Sequence, residues 1–127
     1  MSKSFNPRQF MSSSGKPILV GRNSSENNYL TLKVAQKTDI FFHATDFPGS
    51  HVILQTNGAD ITKDDLEDAA CLAAFYSKGK DRKTVKVDFA LKENVSKARK
   101  APAGLVELHS YRTIKVKKID NRIKKFI

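Results

Sequence analysis

The segment that most constrains this chain is Thr62 to Lys78, its clearest helix. Thr62 can cap it, Asp65 at the third helical position makes a variant capping box, and Ile61 and Leu66 have the spacing of a hydrophobic staple. Asp64, Asp65, Glu67 and Asp68 favour the positive end of the helix dipole, while Lys78 and Lys80 favour the negative end. Gly79 is a natural stop. Leu66, Ala69, Ala70, Ala73 and Tyr76 or Ser77 share a face whose small residues let the helix sit close to a sheet. Leu72 and Phe75 widen that apolar stripe.

The other segments supply the sheet. Phe10–Ser13 and Pro17–Val20 read as a hairpin turning at Ser14-Gly15-Lys16. Gly15-Lys16 is no phosphate loop, because the upstream glycine is missing and Pro17 stands where Ser or Thr is required. Tyr29 to Ala35 reads as a short helix, with Leu30 and Val34 four apart. Ile40, Phe42 and Ala44 alternate with Phe41 and His43 as in a half-buried strand. Pro48-Gly49 fits a type II turn, His51 to Gln55 reads as the next strand, and Asn57-Gly58 ends it. Val85, Val87 and Phe89 alternate with Lys86 and Asp88. Leu91 to Gly104 reads as a basic loop, Leu105–Leu108 and Thr113–Val116 as a final hairpin, and Lys117–Ile127 as a basic tail. The expectation is a two-layer α+β fold: an antiparallel-rich sheet packed against one main helix and one short one. The organisation expected is a flexible arm over 1–9, a domain over 10–116 and the tail over 117–127.

That domain organisation suits a chain of 127 residues. No apolar run approaches the ~20 residues a membrane helix needs. The first ten residues carry no apolar signal region, so a cytoplasmic protein is expected. Cys71 is the single cysteine and sits among alanines, which suits a small buried residue better than a reactive thiol.

Charge carries the first functional signal. Residues 1–77 hold 7 Lys+Arg against 8 Asp+Glu, a balance of −1, whereas residues 78–127 hold 16 against 5, a balance of +11. All of the net +10 therefore lies in the last fifty residues, which points to a polyanion, most often nucleic acid. The candidate anchors are Lys78, Lys80, Arg82 and Lys83 at the helix end, then Lys97, Arg99 and Lys100 on the second loop. Lys115, Lys117 and Lys118 follow. Gly21-Arg22-Asn23-Ser24-Ser25 admits two readings: a glycine turn with Arg22 forking a phosphate, or a tight turn followed by a helix cap. Phe41 and His43 share one strand face, which is either core or a stacking surface for unpaired bases. His43 and His51 lack the further ligands a metal site needs, so no metal or cofactor is expected. A triad drawn from Asp46, Ser50 and His51 fails because neighbours on a strand point to opposite faces.

The run Asp39-Ile40-Phe41-Phe42-His43-Ala44 and Pro48-Gly49-Ser50-His51-Val52-Ile53-Leu54, after Gly21-Arg22-Asn23 and Asn27, resembles the RNA-binding domain of the NFACT family (NFACT-R). The resemblance begins at Phe10-Met11-Ser12-Ser13-Ser14-Gly15 and takes in Leu30-Thr31 and Ala35. It resumes at Ala69-Ala70, Leu72-Ala73-Ala74-Phe75-Tyr76-Ser77-Lys78, Val87-Asp88, Asn94-Val95, Lys97 and Pro102-Ala103-Gly104-Leu105-Val106. It covers roughly residues 10–116 and departs at Phe41, where the family more often has Trp, and at Ala103. Larger proteins of the family work in ribosome-associated quality control. The resemblance implies a non-enzymatic RNA-binding module whose partners are tRNA or large-subunit ribosomal RNA. Lys78, Arg82, Lys97, Arg99 and Lys100 would anchor phosphates, Arg22, His43 and His51 would add specificity, and Asn23, Phe41, Ser50, Lys80 and Lys83 complete the expected RNA-binding set. Two rival expectations remain: an RNA-processing enzyme using His43, Ser50 and His51, and a binder of duplex DNA or an acidic protein.

Overall fold

The computed structural model describes residues 5–103 and 105–127. Residues 1–4 of the expected arm and Gly104 lie outside them. Strand β1 (Arg8–Met11) starts two residues inside the stretch read as an arm, because Arg8 and Gln9 pair with Val20 and Leu19 of β2 (Pro17–Val20). The chain continues through helix α1 (Ser24–Tyr29) and a π-helical turn (Leu30–Val34) to β3 (Ile40–Ala44), β4 (Val52–Leu54) and α2 (Lys63–Phe75). Then come β5 (Thr84–Leu91), β6 (Val95–Lys97), β7 (Val106–Leu108), β8 (Arg112–Lys117) and α3 (Ile119–Ile123). A six-stranded sheet has the order β1-β2-β4-β3-β5-β8, and β6 and β7 form a separate pair. Every pairing is antiparallel.

Alternation on the strands makes two cores, one per sheet face. Ile18, Val20, Phe42, Ala44, Val52, Leu54, Val85 and Val87 point at α2, where Ala69, Ala70, Leu72, Ala73 and Ala74 let the helix approach closely. Each fully buried Phe, Ile or Leu contributes roughly 1.5–3 kcal/mol. On the other face Phe41, Ile53 and Ala90 pack with Leu30 and Ala35 of the short-helix region and with Val95, Val106 and Leu108 of the β6–β7 pair. The sheet and its main helix are as expected, and this smaller second core is an addition.

The α2 N-terminus is built as its sequence indicates. Thr62 Oγ1 accepts from the Asp65 N–H and Asp65 accepts from the Thr62 N–H, completing the capping box. Asp65 also accepts from the N–H and hydroxyl of Ser14, and Asp68 Oδ2 accepts from the N–H and hydroxyl of Ser13. Arg122 and Lys125 donate to Asp68 Oδ1 at 2.6 and 2.7 Å, drawing the basic tail onto the acidic helix end. Burial opposes the charged form of both Asp65 and Asp68, but these donors outweigh it and hold both carboxyls below the usual range.

Three local expectations are corrected. The stretch from Leu91 read as a basic loop holds the end of β5 and strand β6 (Val95–Lys97). β7 pairs with β6, and β8 pairs with β5, so residues 105–116 form no hairpin of their own. Pro48-Gly49 is not a type II turn, which needs a positive φ that Gly49 lacks. Gly49 instead bridges Ser77, where a Cβ would lie 2.8 Å from the Ser77 Cβ. The Pro48 carbonyl accepts from Lys78 N–H, and Ser50 N–H donates to the Tyr76 carbonyl. The 48–50 segment thereby satisfies backbone groups at the α2 C-terminus.

Candidate nucleic-acid interface

The Gly21–Asn27 motif is an internal clamp. Asn23 caps α1 by accepting from the Glu26 N–H at 2.9 Å. Glu26, almost fully buried, accepts from the Asn6 N–H, the Arg22 N–H and the Arg22 guanidinium, whose Nη2 donates at 2.6 Å. The Arg22 hydrogen bonds, with those of the backbone, hold the Glu26 carboxyl down at about 2 against burial. Asn27 Oδ1 accepts from the His51 N–H, and Gly21 N–H donates to the His51 carbonyl. The geometry therefore turns the Arg22 fork onto Glu26, and Asn23 onto a helix end.

Phe41 and His51 are likewise not presented outward. Phe41 is 1% and His51 2% exposed, and their rings meet edge to face at 4.9 Å. His51 Nδ1 shares a 2.8 Å hydrogen bond with the Thr31 hydroxyl. Neither ring can stack on a base from this position, and the enclosed His51 is not placed to serve Ser50 as a base. The physical reason is the second core, which claims the β3 face carrying Phe41. His43 lies further along that face, half-buried, and burial pushes its imidazole down toward the neutral form against the pull of Asp88. Among the described residues no three His, Cys, Asp or Glu side chains gather as a metal-holding group.

The basic residues at the α2 end are exposed. Phe47 lies over Gly79, where a Cβ would meet its ring at 2.4 Å, and the Arg82 guanidinium sits 5.4 Å from the Phe47 centroid. Lys80 lies 5.8 Å from the Phe75 centroid. Cation–π contacts of this kind hold the charge in place without neutralising it.

Beyond Phe47 the second face of the sheet is open. Register puts Lys86 directly opposite Lys115, and Thr84 opposite Lys117. Residues alternate along β5, so Thr84, Lys86 and Asp88 share the face that carries Ala90 and Phe41 into the second core. Arg82, Thr84, Lys86, Lys115 and Lys117 line one groove of about 500 Å³ with Phe47 and Asp46. No carboxylate forms an ion pair with any of these four cations among the described residues. The β6–β7 pair bounds this face by covering Ala90 and Phe41. Lys97 ends β6, and exposed Arg99 and Lys100 follow in the connection, with Lys100 at φ 56°.

The structure thus joins Arg82 to the strand lysines in one groove, while Lys78, Lys80, Lys83, Lys97, Arg99 and Lys100 are exposed cations that do not line it. It separates from them Arg22, Asn23, Phe41 and His51, which hold the fold. Ser50 is half-buried beside the α2 end. Lys86 and Asp88 were not among the nominated residues. Their alternation with Val85, Val87 and Phe89 was the available signal, since it put both on the face away from the main core.

Comparison with known proteins follows the same lines. The NFACT protein RNA binding domain profile matches residues 6–110. The chain is 40% identical over 105 residues to the Rqc2 homolog RqcH of Bacillus subtilis, covering 83% of this chain and 18% of that protein. Against the Rqc2 homolog RqcH of Streptococcus suis it is 36% identical over 119 residues, covering 93% and 21%. It therefore spans about a fifth of the length of these relatives. The solved C-terminal part of the fibronectin/fibrinogen-binding protein from Streptococcus suis superposes with a TM-score of 0.86 at 35% identity, covering 94% of this chain and 49% of that one.

Proposed function

This chain belongs to the family of the NFACT RNA-binding domain, and from that premise we propose that it binds structured RNA, tRNA or large-subunit ribosomal RNA, without catalysing a reaction. Its setting is ribosome-associated quality control in the cytoplasm, the context in which the family's larger proteins work. The observation that carries this reading is the groove of Arg82, Lys86, Lys115 and Lys117, whose charges are paired with no carboxylate among the described residues. Cations left uncompensated on a folded surface suit a phosphate backbone, whose binding releases condensed counterions. The exposed Lys78, Lys80, Lys83, Lys97, Arg99 and Lys100 add to the positive charge available to such a backbone.

Crosslinking the protein in cell lysate and sequencing the attached RNA, with sucrose-gradient sedimentation beside it, tests the reading. Enrichment of tRNA or large-subunit ribosomal RNA, with salt-reversible co-sedimentation, supports it. A protein that stays at the top of the gradient with no enriched RNA contradicts it.

A further inference from the structure

One carboxylate is out of keeping with the basic face around it. Asp88 lies two residues from Lys86 on the same side of β5, about 6.6 Å along the strand by the usual rise. Its Oδ1 accepts from both the Thr45 hydroxyl at 2.9 Å and the Thr113 hydroxyl at 2.7 Å. Its Oδ2 takes no hydrogen bond among the described residues. Two threonines from the flanking segments therefore fix the carboxyl group and leave one oxygen as an oriented acceptor. Beside it, Lys86 and Lys115 stand directly opposite each other. Like charges in that position cost stability in the free protein, a cost that an anion between them removes.

We propose that the open β5–β8 face is a ribose-phosphate subsite, in which Lys86 and Lys115 hold a backbone phosphate and Asp88 Oδ2 accepts a hydrogen bond from a neighbouring ribose 2′-hydroxyl. The inference rests on the RNA-binding reading above and goes beyond it by assigning the discrimination of RNA from DNA to a named atom. A carboxylate repels phosphate, so beside a phosphate position it must meet a donor. The 2′-hydroxyl is the donor that RNA carries and DNA lacks. Thr84 and Lys117 form the next cross-strand pair on this face, and Arg82 closes the same groove. Asp46 also lines the groove but takes part in no ion pair with those cations.

The test is equilibrium binding of the full chain to fluorescent single-stranded RNA and DNA oligonucleotides of the same sequence. The wild type is expected to prefer RNA. Lys86→Glu with Lys115→Glu should weaken RNA binding at least about tenfold and flatten its salt dependence by about two, one for each lost phosphate contact. Asp88→Ala should bring the RNA-to-DNA affinity ratio toward one. Asp88→Asn, which keeps the shape and an acceptor for Thr45 and Thr113, should also lower it, because an amide donor replaces Oδ2. Circular dichroism melts establish that each variant is folded. An unchanged ratio in both Asp88 variants overturns the assignment. So does unchanged RNA affinity in the double-lysine variant while Arg99→Glu with Lys100→Glu abolishes binding; RNA binding then stands, but through another surface. A wild type that binds neither oligonucleotide overturns the inference together with the reading beneath it.

Discussion

Asn27 Oδ1 accepts a hydrogen bond from the His51 backbone N–H at 3.1 Å, and it sits 2.0 Å from where a Cβ on Gly21 would be. Two separated sequence motifs are thereby joined by one side-chain oxygen, and the glycine exists to let that oxygen in. Gly21→Ala must displace Asn27 and is expected to cost about 2–4 kcal/mol, in the range of overpacking combined with loss of a buried hydrogen bond. Asn27→Ala should cost about 1–3 kcal/mol by leaving the His51 N–H without this acceptor. Urea denaturation measures both, and equal stability to wild type in Gly21→Ala contradicts the clamp.

Acid should loosen the segment around Arg22 first. The Glu26 carboxyl titrates at about 2 in the folded chain instead of the ordinary 4.5. The unfolded chain therefore takes up the proton first, so the stability from this group is complete above 4.5 and is lost as pH falls from there toward 2. Melting temperature followed through that window should fall more steeply for wild type than for Glu26→Gln, which has no charge there to lose. Parallel curves count against the Arg22–Glu26 pair as a source of stability.

Asp68 is the carboxylate that Arg122 and Lys125 share, and Arg122 also donates to Glu67. Asp68→Asn removes the charge that Arg122 and Lys125 share through Oδ1, and because both cations are partly exposed the loss of these charge-assisted hydrogen bonds should cost about 1.5–3 kcal/mol. Hydrogen exchange should then speed up in α3 more than in the sheet. Arg122→Met should be milder, because it removes a partly exposed partner and leaves Lys125 and Ser13 on Asp68.

Phe47 couples Gly79 to Arg82, a proposed phosphate anchor. Gly79→Ala places a Cβ 2.4 Å from the Phe47 ring, and the strain is expected to be about 1–3 kcal/mol. Because Arg82 rests on the same ring, RNA affinity is expected to drop in Gly79→Ala as well as in Arg82→Ala. Full affinity in Gly79→Ala alongside a loss in Arg82→Ala breaks the proposed coupling.

Much of this architecture is legible in the chain, for identifiable reasons. The α2 start is local chemistry within a few residues, so Thr62, Asp65 and the acidic first turn are readable directly. Strand alternation was equally plain at Ile40–Ala44 and Val85–Phe89. Strand partnership was not: Val106–Leu108 and Arg112–Lys117 are both apolar-polar segments, and nothing in their spacing says that the first pairs back to Val95–Lys97 while the second crosses to β5. The same limit hid the fate of Phe41. Its face was identified, but whether that face meets solvent depends on a second core assembled from residues as distant as Leu30 and Val106. Charge runs announced the basic surface but could not sort Arg122 and Lys125, spent on Asp68, from Lys86 and Lys115, which have no such partner.

The most direct test of RNA binding by this face is the salt dependence of the purified chain's affinity for tRNA and for a large-subunit ribosomal RNA fragment, measured beside the Arg82→Glu, Lys86→Glu, Lys115→Glu variant. Tight binding at low salt, weakening steeply and log-linearly as salt rises, with a visibly shallower slope in the variant, is the predicted result. Absent binding, or an affinity and slope that the three charge reversals leave unchanged, contradicts it.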